Sequence, residues 1–169
     1  MSGLSMPISN SVRGAMNEIE PPHWVNAETA WSLKILLNLP PDLAASQDWE
    51  IVCADADRLP EFFDLYENGD LDINHKHALM LLIVSSFDDY WRSLEDNVES
   101  VEQQFDVRIE RLLRQDFLIH LHTIRYWCCV DVEDLEENPD HGFSVTPLMR
   151  RIWADCFKPE YQKWMKDYE

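Results

Sequence analysis

Val98 to Cys129 reads VESVEQQFDVRIERLLRQDFLIHLHTIRYWCC, and its spacing decides the fold class. Val98, Val101, Phe105, Ile109 and Leu112 recur at steps of three and four with no Gly or Pro in the run, the pattern of an amphipathic helix. Past Asp116 the stripe continues through Leu118, Leu121, Ile124 and Cys128, while Phe117, His120, Ile124 and Trp127 make a second face at the same spacing. The first half therefore has one buried side and the second is apolar on most sides, as in the central post of an all-α domain. Because Asp116 can cap a new helix where the apolar face widens, the run is expected as two helical pieces meeting there.

Working outward, Asp96-Asn97 supplies a turn and cap, short enough to set an antiparallel helix upstream. That helix is predicted from about Asn74 to Leu94, with Met80, Ile83, Phe87 and Leu94 in its stripe and the block Ala78 to Val84 apolar all round. Asp57 is positioned to cap a further helix whose first turn accommodates Pro60 and which ends at Asn68-Gly69, where Gly can take the left-handed conformation. Trp49 to Cys53 fits a short helix or a strand. Asn26 opens a first helix with Trp31, Leu33, Leu36 and Leu37 on its buried side, stopped by Pro40-Pro41. On the far side, Thr146-Pro147 starts a helix carrying Leu148, Ile152 and Cys156, and Pro159 opens a short last one with Tyr161, Trp164 and Met165. The expectation is a flexible N-terminal arm over 1–23 and one all-α domain over 24–169, a bundle of about five to seven helices around a buried central segment.

With 32 acidic residues against 14 basic ones, the 169-residue chain carries a formal charge of -18. Such a balance repels nucleic acid and anionic membrane and steers basic partners toward the protein. The N-terminus lacks the apolar core of a secretory signal, and no run approaches the roughly 20 apolar residues of a membrane span, so a soluble cytoplasmic protein is expected. The four cysteines (Cys53, Cys128, Cys129 and Cys156) have no metal-finger or C-x-x-C spacing and read as buried, reduced thiols. Four glycines build no phosphate-cradling loop or dinucleotide fingerprint. Ser85 and Ser86 sit in an apolar helix, where a hydroxyl bonds back to the backbone, and no nucleophile elbow is present.

Two His-x-His pairs invite a metal, His75 with His77 and His120 with His122. On a helix, residues two apart diverge by about 200°, so neither pair chelates alone. A shared site would need one histidine from each helix plus a carboxylate such as Asp72 or Asp116; otherwise they are core or surface histidines. Core packing accounts for most of the seven tryptophans, with Trp24 and Trp164 as candidates for exposure. Arg125 requires a partner in its apolar surroundings, for which Asp88 or Asp89 is the candidate. Arg150 and Arg151 read as ion-pair partners of nearby carboxylates.

Asp116, the run HLHTIRYWCCVD from His120 to Asp131, the acidic loop behind it and FSVTPLMRRIW from Phe143 to Trp153 together resemble the C-terminal half of small acidic all-α bacterial immunity proteins. That resemblance covers less than half the chain. It implies a stoichiometric inhibitor that binds a cognate toxin domain in the cytoplasm and occludes its active site, with no catalytic residue and no cofactor. Charge places the expected partner face on two segments. The first is Asp42 to Asp72, with Asp55, Asp57, Glu61, Asp64, Glu67 and Asp70; the second is Asp131 to Asp140, with Asp131, Glu133, Asp134, Glu136, Glu137 and Asp140. The expected partner is a basic protein, such as a nuclease toxin. The alternatives are a metal-dependent hydrolase using the His-x-His pairs and carboxylates, and a homo-oligomeric regulatory or scaffold protein, with a homodimer possible in either function.

Overall fold

The computed structural model describes residues 20–40, 47–93, 102–132, 135 and 142–165. These form an all-α, single-domain bundle: α1 (Ala27–Leu36), α2 (Trp49–Val52), α3 (Leu59–Asn68), α4 (Ile73–Ser93), α5 (Glu102–Gln115), α6 (Leu121–Cys128) and α7 (Thr146–Cys156). Two 3-10 helices, Ala56–Arg58 and Pro159–Trp164, precede α3 and follow α7, and no strand occurs among the described residues. Helix α2 resolves the helix-or-strand alternative at Trp49 to Cys53. The expected turn at Asp96-Asn97, the residues Val98 and Val101, and the arm over 1–19 lie outside the described residues.

Helix α4 is the element on which α1, α2 and α3 all pack, while α6 packs on α7 and α7 also meets α5. Ala78, Leu79, Met80, Leu82, Ile83 and Val84 lose all exposure to solvent, and each large aliphatic chain among them is worth roughly 1.5–3 kcal/mol on burial. The expected post is buried too, through Ile109, Leu112, Leu113, Leu121 and Ile124. It breaks near Asp116 as expected, but for another reason. The Asp116 side chain caps nothing; it accepts hydrogen bonds from Tyr66 Oη at 2.8 Å and Lys76 Nζ at 3.1 Å. The turn is closed by the backbone, with Ile119 N and His120 N donating to the Asp116 carbonyl at 2.9 and 3.2 Å.

Helix α1 opens as its sequence predicts, with Thr29 N donating to Asn26 Oδ1 at 2.8 Å. It ends before the prolines, because Asn38 turns the chain at φ 48° and Leu39 N bonds back to the Lys34 carbonyl. Its buried line is Thr29, Leu33 and Leu37, spaced by four. Trp31 and Leu36, expected inside, are exposed. Four of its ten residues are polar, and Lys34 lies on the opposite side from Glu28, Thr29 and Ser32, so no clean apolar stripe tells which side faces inward.

Asp55, two residues before the expected cap, accepts from Asp57 N at 3.0 Å and closes the 3-10 turn that leads into α3. Arg58 then binds Glu61 Oε1 at 2.8 Å and the Leu37 carbonyl at 2.5 Å, tying α3 to the end of α1. Gly69 ends α3 as expected but in extended rather than left-handed backbone. Its need for glycine is one of space: a Cβ there would stand 2.5 Å from the Leu65 carbonyl oxygen. Gly69→Ala is therefore expected to cost about 1–3 kcal/mol, read as a lower urea midpoint at unchanged slope.

At the other end, Thr146 does not cap α7. Its hydroxyl donates to the Trp127 carbonyl and accepts from Phe143 N, both at 2.9 Å, joining α7 to α6. Among the described residues Arg150 meets no carboxylate; it donates to the carbonyls of Cys128, Cys129 and Val132 at 2.8–2.9 Å and so caps the end of α6, where Cys129 sits at φ 48°. Arg151 does form an ion pair, with Glu110 of α5 at 2.6 Å. Asp88 pairs with Arg92, not Arg125; Arg125 instead reaches Asp131 at 3.4 Å.

Candidate functional site

The carboxylates expected to face a partner are divided by the structure into engaged and outward groups. Arg108 of α5 reaches across to Asp64 at 2.6 Å and, through Nε, to Glu67 at 3.0 Å, and Arg111 binds the other Glu67 oxygen. Hydrogen bonds from Arg108 and Arg111 hold the Glu67 carboxyl below its ordinary range, and Arg58 does the same for Glu61. Asp55 is committed to its own turn. Asp57 and Asp70 are exposed, and Asp131 is exposed beside Arg125. Glu133, Asp134, Glu136, Glu137 and Asp140 lie outside the described residues.

Among the described residues a large concavity lies elsewhere. A cleft of about 680 Å³ opens between the segment before α1, α1 itself, α2 and α6, with α4 behind it. Its walls carry Trp24, Trp31, Trp49, Tyr126 and Trp127, with Asp48 and Glu50 from the α2 side and His23, His77 and His122 within. The aromatic surface is strongly exposed for apolar groups: Trp24 79 %, Trp31 59 %, Tyr126 57 %, with Ile51 at 50 % beside them. The mouth of the cleft is thus apolar surface with Asp48 and Glu50 at its edge.

One wall is a column of stacked rings. Trp24 lies on His23 at 4.4 Å between centroids and His23 on His122 at 4.3 Å, the planes within 22° of parallel. Residues 20–23, included in the expected arm, are thus laid against the bundle, and Pro21 is buried. His77 forms the deep end. It is 2 % exposed, and neither ring nitrogen completes a hydrogen bond. Burial, then repulsion from His122 and, less strongly, His23, push its pKa down to about 4, against a weaker opposing pull from the Ile119 backbone. It is neutral near pH 7. On α2, burial and then the adjacent Asp48 push the Glu50 carboxyl up, its own backbone hydrogen bond offsetting part of the rise; no cation is among the groups that shift it.

The His-x-His pairs separate as helical geometry requires. His77 and His122 meet in the cleft. His75 binds Asp72 at 2.8 Å, and His120 is buried against Tyr66 Oη at 2.6 Å. The carboxylates that a metal would need are engaged by these other groups, and among the described residues no set of three or more His, Cys, Asp or Glu is arranged to hold an ion. Of the four thiols expected to be buried, Cys53 and Cys128 are, while Cys129 and Cys156 are partly exposed; burial pushes the Cys128 thiol up to about 12.

His23, Trp31, Asp48, Glu50 and Tyr126 are the cleft residues that sequence reasoning missed. The sequence of α1 offered no signal for them: only the observed burial of Leu33 puts Trp31, two residues away, on the opposite side. No family model, curated protein or solved structure matches this chain. Among the described residues no helix is long and apolar enough to cross a membrane.

Proposed function

We propose that the chain is a stoichiometric binding protein of the immunity type, which neutralises a basic toxin domain in the cytoplasm by covering it. The observation that carries this reading is the exposed aromatic cleft with acids beside it, on a chain of charge -18. Aromatic anchors supply affinity once desolvated, and the acidic field raises the encounter rate with a basic surface. The outward carboxylates Asp57 and Asp70 contribute to that field without needing to touch the partner.

Co-expression with the toxin-like product of the neighbouring gene tests the proposal. The expected result is restored growth and a one-to-one complex by size-exclusion mass measurement. Trp24→Ala and Tyr126→Ala are each expected to weaken the complex about 30-fold or more, the usual scale for an aromatic anchor, while leaving the fold intact because both side chains are exposed in the isolated protein. No complex and no rescue would remove the immunity reading. A dimer in the absence of any partner would favour a homo-oligomer joined through the exposed Ile35 and Leu36 of α1.

A further inference from the structure

We infer that the cleft between α1, α2 and α6 is a receptor for an arginine side chain presented by a basic partner protein, with aromatic faces stacking on the guanidinium and Glu50 supplying counter-charge. The source of that side chain rests on the proposed function; the chemistry of the cleft does not.

Four observations converge on this occupant. First, Glu50 is partly withdrawn from water next to another acid, so its charge is poorly accommodated until a cation arrives. Second, the deep end is closed by His77, whose imidazole is buried and neutral, so it places no positive charge against a guanidinium. Third, the walls are aromatic, and the chain already places one cation on them: Lys34 Nζ lies 4.2 Å from the centroid of Trp31. With Trp31 59 % exposed, the rest of the ring is open to a second. Fourth, the cleft is several times larger than one side chain, so it accepts a protruding segment rather than a lone small cation, with Ile51 and Tyr126 meeting the apolar neighbours of the arginine.

The same observations disfavour other occupants. A nucleotide would bring phosphate to Asp48 and Glu50, and a wholly apolar segment would seal Glu50 without a partner. Arginine is favoured over lysine because its planar fork stacks on indole and distributes several donors at once.

The test uses the full chain and two short peptides, acetyl-Leu-Arg-Leu-amide and its citrulline counterpart, which keeps the shape and loses the charge. Nuclear magnetic resonance titration is expected to show shifts at the indoles of Trp24 and Trp31 and at the His122 ring, with the arginine peptide binding at least ~10-fold more tightly than citrulline. Glu50→Gln is expected to bring the two peptides close to equal affinity. Circular dichroism confirms that this variant is folded, and Trp24→Ala, on a side chain already in solvent, should lose binding to both. Equal affinity of the two peptides for the native chain, shifts confined to other surfaces, or tighter binding of adenosine than of the arginine peptide would each overturn the inference. If the peptides behave as expected and the toxin is not neutralised, the immunity reading alone fails. If the toxin is neutralised equally by the native chain and by Glu50→Gln, the inference about the cleft alone fails.

Discussion

Replacing Asp88 with alanine is expected to destabilise the bundle by about 3 kcal/mol. Asp88 is fully buried on α4, where one carboxylate oxygen accepts Val145 N at 3.1 Å and the other accepts Arg92 Nε at 3.0 Å. The carboxylate is the polar joint between the bundle's main helix and the start of α7. Alanine leaves the Val145 amide buried without an acceptor, and that orphaned donor is the larger part of the cost; Arg92 is largely in solvent and returns to it. Asparagine retains a carbonyl for Val145 but turns away from the guanidinium, so about half the loss is expected. For a chain of this length the alanine variant should melt roughly 10 °C lower. A shift smaller than 2 °C would show that the joint carries no load.

Acidification is expected to weaken the fold before the carboxylates titrate. His77 is held down to about 4, and His120, wholly buried, is held well below its ordinary 6.5 by burial, then by His77 and Lys76. The hydrogen bonding agrees. If Tyr66 gives its one proton to Asp116, His120 donates from Nε2 to the Tyr66 oxygen. Its Nδ1 then has no partner, and protonation would bury an N–H with nothing to accept it.

In the unfolded chain both imidazoles take up protons near pH 6.5, while the folded chain resists, so the unfolded state binds more protons and stability falls as pH drops. His77 loses about 1.4 kcal/mol per pH unit below 6.5, roughly 2 kcal/mol by pH 5, and His120 adds to the loss in the same direction. Glu61, Glu67, Glu110 and Asp72, with carboxyls held low, lose their contributions only at still lower pH, and the raised Glu50 and Asp106 act in the opposite direction. Urea unfolding between pH 7.5 and 5 checks this. A flat profile would contradict two neutral buried histidines, and His77→Gln should reduce the slope.

The helices were legible because their signals are local. Asn26 caps α1, Pro60 and Pro147 sit in first turns, and the stripe through Ile109 and Leu112 needs only a few neighbouring residues to be read. The reasons for individual ends were less so. Thr146 and Asp116 are good caps by type, yet their side chains serve Trp127, Tyr66 and Lys76, which lie 19 to 50 residues away. The same distance problem hid the fate of the acidic segment. Nothing near Asp64 or Glu67 announces that Arg108 and Arg111, more than 40 residues on, will bind them. The cleft was the least legible feature. It is assembled from residues 23–31, 47–51, 77–81 and 122–127, four stretches none of which is distinctive alone, and the mixed polar and apolar pattern of α1 favours no side for Trp31.

That uncommitted side of α1 bears on how the protein can change over generations. Trp24, Trp31, Ile51 and Tyr126 stand largely in water, whereas Leu33, Leu79 and Ile83 lock the bundle together. Substitutions at the first group carry little penalty for folding, so the surface chemistry of the cleft can drift on a scaffold that stays the same. What the cleft presents to solvent and what holds the bundle together are carried by different residues, and a lineage can explore the one without risking the other.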